Sequence, residues 1–288
     1  MPTTLFLLLT ILTAPAVPQS PLGAVQCRLR IGPTGVPLVR VEVTPGRSAW
    51  FVLDTGATGT TLHADLARRL GLQGSGQANL TTVEGAVLVP TVRLPGLRIV
   101  GLPTTHHVDA AIHDLRLVRQ VAPEADGILG QDVLAQYDYL IDLPGQRLTV
   151  GRFAPPPRGQ RVPLTWSGGR PVLQVGDGPA RYGLVLDTGA DVLLMEARAA
   201  LETLGDIPPA GRTRALLQTH VGTRAVEVEH HLGLRVANVG LPPVDLVRLP
   251  ADAWPMSPEV GLLPASLFSR VYVSARTGEA AVWPRRSW

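Results

Sequence analysis

The sequence predicts an all-β chain with few short helices, folded as two similar lobes from an internal duplication. Three observations carry that prediction. Gly 30 and Pro 27 among 288 residues make turns frequent, which favours many short strands over long helices. The stretches Trp50-Phe-Val-Leu-Asp-Thr-Gly-Ala57 and Gly183-Leu-Val-Leu-Asp-Thr-Gly-Ala190 each deliver an apolar run into the same turn. A second pair of landmarks, Gly127-Ile-Leu-Gly-Gln-Asp-Val-Leu134 and Gly261-Leu-Leu-Pro-Ala-Ser-Leu-Phe268, follows at nearly the same offset, which marks a repeat.

Length agrees with two units, at roughly one domain per 150 residues. With 45% hydrophobic and 17% charged residues the chain can pack a core and is too apolar for a disordered one. All of its basic side chains are arginine, scattered along the sequence for a net charge of +3. Dispersed charge of that kind solvates a surface and argues against nucleic-acid binding. Cys27 is the single cysteine, which excludes a disulfide framework and a cysteine-based zinc site.

The boundaries follow from punctuation. An apolar run from Leu5 to Leu12, then Ala14-Pro15-Ala16, reads as a signal-peptide core and a small-x-small cleavage pattern. Residues 1–20 are therefore expected as an export signal, giving a periplasmic or secreted protein. No basic residue precedes the run, so an uncleaved N-terminal anchor or a cytoplasmic location is the alternative. The first lobe is expected over residues 21–154 and the second over 163–288. Pro155-Pro-Pro157 and Gly159 mark a linker at 155–162.

Within each lobe the elements repeat. Strands are expected at Val39 to Val43 and Ala49 to Leu53, and again at Pro171 to Val175 and Tyr182 to Leu186. A short helix should follow each Asp-Thr-Gly: Leu62 to Leu70, capped by Thr60 or Thr61 and stopped by Gly71, and Leu194 to Leu204, stopped by Gly205. Alternating segments, Ala86 to Leu94 and Arg224 to Leu234, fit hairpins with one wet face. Another short helix is expected after Gly130 and near Pro264. Each lobe should close on a hairpin, turning at Pro144-Gly145 or Thr277-Gly278.

The chemistry sits in the repeated turn. An Asp that ends an apolar strand presents its carboxylate where water is scarce, and Gly56 and Gly189 allow another loop to come close. Thr55 and Thr188 can send hydroxyls to the backbone of the opposite loop, holding Asp54 and Asp187 side by side. Two carboxylates at hydrogen-bonding distance cannot both ionise, so they share one proton over a wide pH range. One then takes a proton from a bound water while the other donates to the carbonyl under attack. For one isolated Asp-Thr-Gly an ordinary Asx turn is the better reading. Two copies with matched downstream partners favour the dyad.

From these residues the chain resembles the retropepsin-like and pepsin-like aspartic peptidases over nearly everything after the N-terminal segment. Leu53-Asp54-Thr55-Gly56-Ala57-Thr58 and Leu186-Asp187-Thr188-Gly189-Ala190-Asp191 look like that family's active-site loops. Gly127-Ile128-Leu129-Gly130 and Gly261-Leu262-Leu263 look like the segment threading behind each loop. Asp-Thr-Gly-Ala resembles the retroviral and bacterial branch, and the joined lobes resemble pepsin. The resemblance implies a bilobal acid-protease fold, catalytic Asp54 and Asp187, a peptide or unfolded-protein substrate, no cofactor and no metal, and a monomer that needs no membrane. Two departures stand out. Pro264 replaces the second glycine, and Gln131 and Ala265 stand where retroviral enzymes carry an arginine. Substrate-covering flaps are expected at hairpin tips around Val83-Glu84-Gly85 and Val221-Gly222-Thr223.

His106, His107, His113, His230 and His231 read as surface or loop histidines, because adjacent histidines on a strand face opposite ways. Two rival functions remain. A catalytically silent peptide-binding protein could keep the fold, although a binder has no use for two repelling carboxylates. Asp54-Thr-Gly-Ala-Thr-Gly59 also resembles the phosphate-binding hairpin of sugar-kinase-like ATPases, which need large α/β domains.

Overall fold

The computed structural model describes residues 3–6, 23–82, 85–175, 182–204, 210–219, 222–231, 235–236, 239–251 and 259–285. In the first half β1 (Thr3–Phe6), β2 (Val25–Ile31), β3 (Pro37–Thr44) and β4 (Arg47–Leu53) lead to β5 (Thr61–His63) and α1 (Ala64–Arg69). Then come β6 (Gly76–Thr82), β7 (Gly85–Ile99), β8 (His106–His113), α2 (Arg116–Val121), β9 (Ala125–Leu129) and α3 (Gln131–Leu134). The half closes on the hairpin β10 (Asp138–Asp142) and β11 (Arg147–Gly151).

The second half repeats this order. It runs β12 (Gln160–Ser167), β13 (Arg170–Val175), β14 (Tyr182–Asp187), β15 (Leu193–Glu196), α4 (Ala197–Leu204), β16 (Gly211–Gln218) and β17 (Thr223–His231). After β18 (Arg235–Val236), β19 (Val239–Gly240), β20 (Val244–Leu249) and β21 (Gly261–Pro264), a 3-10 turn at Ala265–Leu267 precedes β22 (Phe268–Ser274) and β23 (Glu279–Pro284). The protein is mostly β, as the turn-rich composition requires. Its described α-helices are four to eight residues long, none long and apolar enough to cross a membrane.

Pairing around the first lobe closes on itself. β3 joins β4, β4 runs parallel to β9, and β9 meets β5; β5 runs parallel to β8, β8 pairs with β7, and β7 returns to β3. A closed barrel leaves no edge exposed. The alternation in β3 shows why it forms: Val39, Val41 and Val43 point inward, and Arg40 is exposed. In the second lobe β13, β14, β21, β15, β20 and β17 make the matching pairs, with β18 on the far edge of β13. There β1 lies parallel along β16.

A third sheet ties the lobes together. Its order is β2, β11, β10, β22, β23, β12, antiparallel throughout. At its centre Leu140 faces Tyr272, Asp138 faces Ser274, and Asp142 faces Arg270. Tyr139, Ile141, Val271 and Val273 from the two middle strands join one apolar core with the barrel interiors. Each such side chain fully buried is worth about 1.5–3 kcal/mol, so this sheet is held from within.

Some elements depart from the sequence reading. The helix expected from Leu62 begins at Ala64, because Thr61, Leu62 and His63 are taken into the sheet by β8 and β9. His63, not a threonine, caps α1, its Nδ1 accepting from the Asp65 amide at 3.0 Å. Likewise β15 takes Leu194 to Glu196, and the helix starts at Ala197; Gly205 lies outside the described residues. β12 begins at Gln160, inside the stretch expected as linker. Of residues 1–20 only Thr3–Phe6 are described.

Candidate active site

Each aspartate is delivered by a buried strand. β4 ends Phe51-Val52-Leu53, all fully buried, and its parallel partner β9 accepts the Asp54 amide on the Leu129 carbonyl at 3.0 Å. β14 ends in Asp187 itself, with Leu186 and Asp187 beside Leu263 and Pro264 of β21. Parallel strands buried on both faces bring a carboxylate into the interior without exposing the chain around it.

Past the strands the turns do what an Asx turn does. Asp54 Oδ1 accepts from the amides of Gly56 and Ala57, both at 2.9 Å, and Asp187 Oδ1 from that of Gly189 at 2.7 Å. The bland reading therefore describes one oxygen of each carboxylate. It leaves the other oxygen, Oδ2, which in both residues is buried and meets no donor group among the described residues. The two carboxyls act on each other electrostatically. One shared proton would supply a donor to both.

The threonines lock the loops across the interface. Thr55 Oγ1 donates to the Leu186 carbonyl at 2.7 Å and accepts from the Thr188 amide at 3.0 Å. Thr188 Oγ1 donates to the Leu53 carbonyl at 2.5 Å and accepts from the Thr55 amide at 3.0 Å. Every hydroxyl is used once in each sense, and the pattern is symmetric about the dyad. At about 1 kcal/mol net per bond, these four fix the separation of the aspartates more than they stabilise the fold.

Close approach explains the glycine. A Cβ on Gly56 would sit 2.5 Å from both Cγ and Oδ2 of Asp187, so the opposing carboxylate occupies the space any side chain would need. Similarly a Cβ on Gly130 would meet the backbone of Gly59 at 2.5 Å, where the threading segment passes behind the first loop. In the second lobe Pro264 takes that place with extended backbone and leads into the 3-10 turn.

Asp54 and Asp187 are both 0% exposed. Burial lifts the Asp54 carboxyl well above the usual carboxylate range and the charge of Asp187 lifts it further, against the amides of Ala57 and Gly56. Asp187 is raised by burial too. The Gly189 amide, the bond with Asp54 and the positive charge of Arg170 pull it back down. Two carboxyls so coupled titrate as a pair and not independently.

Gln131 has a use the sequence did not reveal. It is buried, and its Nε2 donates to the Thr55 carbonyl at 2.9 Å and to the Tyr139 hydroxyl at 3.2 Å, bracing the first loop from behind. Asp132 beside it accepts from the Thr60 amide at 2.8 Å and the Thr60 hydroxyl at 2.9 Å, and burial lifts its carboxyl to about 6. Only the position of Gln131, directly after Gly-Ile-Leu-Gly, could have hinted at this.

The remaining candidates sit on other elements. Gly85, with φ +124, and Gly222 sit in the turns of the β6–β7 and β16–β17 hairpins; Val83, Glu84 and Val221 lie outside the described residues. Two of the histidines, His106 and His231, correct the expectation of surface positions, while His107 is exposed as expected. His106 is buried, bonded to the Tyr137 hydroxyl at 2.7 Å and to Gln136 at 3.0 Å. His231 is buried against Glu229 at 3.0 Å. A strand face turned to the core decides this: His106 points in and His107 out. Among the described residues no group of three or more His, Cys, Asp or Glu is placed to hold a metal ion.

Residues 39–133, which span β3 to α3, match the family model described as aspartyl protease. A comparison with curated proteins returned no match. The matched segment contains Asp54-Thr-Gly and Gly127-Ile-Leu-Gly130, and the second lobe repeats both its motif and its strand order. The match over the first lobe supports an aspartic peptidase family of the retropepsin-like clan.

Proposed function

We propose that this chain is an aspartic endopeptidase in which Asp54 and Asp187 hydrolyse a peptide bond by activating one water. The observation that carries the reading is the pair of mirrored turns, tied together by the threonines, each leaving one buried carboxylate oxygen without a donor among the described residues. A binding protein has no use for two such oxygens. Thr55, Thr188, Gly56 and Gly189 hold the geometry, and the hairpin turns at Gly85 and Gly222 would cover the bound peptide.

Chemically the singly protonated pair suffices. The charged carboxylate takes a proton from water as its oxygen attacks the carbonyl carbon. The protonated one gives its proton to the carbonyl oxygen, forming a neutral tetrahedral diol. In the second step the first carboxyl protonates the leaving nitrogen as the C–N bond breaks. The other recovers a proton from a diol hydroxyl, so the pair returns to its starting state. Since both aspartates are fully buried, a peptide reaches them only after covering segments part.

Both loops come from one chain, which supports an active monomer, and the apolar run Leu5 to Leu12 supports export. An ATPase reading loses its footing on the fold, since the described residues form no large α/β domain of the kind it needs. The test is hydrolysis of an unstructured protein by the purified chain, with cut sites read by mass spectrometry. Cleavage that vanishes in Asp54→Asn and in Asp187→Asn is the expected result. Peptide binding without cleavage in the parent chain would favour the silent binder instead.

A further inference from the structure

The two halves of the dyad differ in one neighbour. In β3 and β4, Leu38 faces Val52, and extending that register by two residues leads to Val36 and Asp54, just past the ends of the paired strands. In β13 and β14, Val172 faces Val185. Extending that register by two residues brings Arg170, the first residue of β13, toward Asp187, the last of β14, which feels its positive charge. Residues directly opposed across antiparallel strands share a face, with Cβ atoms about 4.5–5.5 Å apart. The first aspartate thus has an apolar neighbour and the second a guanidinium.

Arg170 is 3% exposed, and burying an arginine is costly unless its charge is answered. Glu259 answers part of it, with Oε2 3.5 Å from Arg170 Nη2 and both side chains shut away from water. Glu259 precedes β21, the strand that runs beside β14 to Asp187. The charged groups acting on Asp187 are Asp54 from the first loop and Arg170 from β13, while Gly261, Leu262, Leu263 and Pro264 of β21 carry none. Asp191 lies in Asp187's own loop, and Arg170 feels Asp187 in return.

We propose that Arg170 breaks the symmetry of the pair, holding the negative charge on Asp187 and the shared proton on Asp54. This rests on the proposed peptidase reading and gives each carboxylate its role. Asp187 is the base that takes the proton from water, and Asp54 is the acid that donates to the substrate carbonyl. Arg170 is a positioning residue acting through Asp187, and Glu259 tempers it by cancelling part of its charge.

The experiment is a carboxyl titration by NMR on protein carrying ¹³C-labelled aspartate, without substrate, with Asp54→Asn and Asp187→Asn as assignments. Arg170→Met should raise the first ionisation of the dyad by about one unit, the low end for an opposite charge at this range. Arg170→Lys should restore most of it. Glu259→Gln should move the ionisation the other way, to lower pH, by removing the negative charge that offsets part of the guanidinium. Where peptide is cleaved, the acidic limb of kcat/KM should follow each variant. An unchanged titration in folded Arg170→Met, or shifts of the same sign in Arg170→Met and Glu259→Gln, would overturn the proposal. If Arg170→Met does not fold, the opposite movement in Glu259→Gln with an unmoved Arg170→Lys still decides it. Because the titration needs no turnover, a parent chain that cleaves nothing would sink the peptidase reading and leave this result standing.

Discussion

Asp54 and Asp187 are costly residues to keep, and the cost has a pH signature. Their folded pKa values lie above the unfolded value of about 3.9, so the folded protein holds protons the unfolded chain has released. The stability these groups contribute is complete below about pH 4 and is lost as pH rises through their folded values. Asp187→Asn should therefore gain on the order of 1–3 kcal/mol over the parent at pH 7 and nothing below pH 4, read by urea unfolding at both pH values. The same variant should lose peptide hydrolysis by at least about a thousandfold, since no neighbour can take over a proton transfer. A residue whose removal stabilises the fold while ending the activity is there for chemistry. Both aspartates and both threonines were legible from the repeated tetrapeptide. Gln131 and Arg170 were not, because their importance lies in what faces them across strands.

At the scale of elements the threading of β9 beside β4 sets the tolerances. A Cβ on Gly127 would fall 2.3 Å from the Phe51 ring, and one on Gly130 would strike the Gly59 backbone. Overpacking of this kind costs about 1–3 kcal/mol where neighbours can shift and more where they cannot. Gly127→Ala should be partly rescued by Phe51→Leu, which removes the obstructing ring. Gly130→Ala should find no such rescue, because its obstacle is main chain. Thermal melts of the two single variants and the double variant check this. Strands were easy to read wherever a polar face alternates with a buried one, as in β3. Helix starts were misread because Thr61-Leu62-His63 and Leu193 to Glu196 look like helix entries, yet pair on both sides within the sheet. Local propensity yields to tertiary pairing in such short segments.

The whole molecule turns on the sheet between the lobes. Its strands come three from each half, and the middle pair buries Tyr139, Ile141, Val271 and Val273 in a common core. The two lobes should therefore unfold in one transition, with coincident fluorescence and circular-dichroism curves in urea. Two separated transitions would show that the shared sheet is dispensable. The duplication was visible in sequence as matched offsets, whereas this sheet was not, because nothing in a repeat says which strands of its copies will meet.

The register of that middle pair has a consequence for synthesis. The first lobe leaves the ribosome with β10 complete and its outer edge waiting for β22. Two nascent first lobes could zip together there, each posing as the other's missing half. In the finished chain Asp138 receives the Ser274 hydroxyl at 2.5 Å and Arg276 at 2.9 Å, and Asp142 pairs with Arg270 at 3.3 Å. Two copies of β10 laid across the same axis would set Leu140 against Leu140, and Asp138 against Asp142 twice over. Like charges directly opposed across strands repel, so the impostor pairing is penalised at both ends while the true partner is rewarded there. Residues 23–154 expressed alone should stay monomeric at pH 7 by ultracentrifugation. They should dimerise when Asp138→Asn and Asp142→Asn are combined, a mutual recognition that the acids exist to refuse.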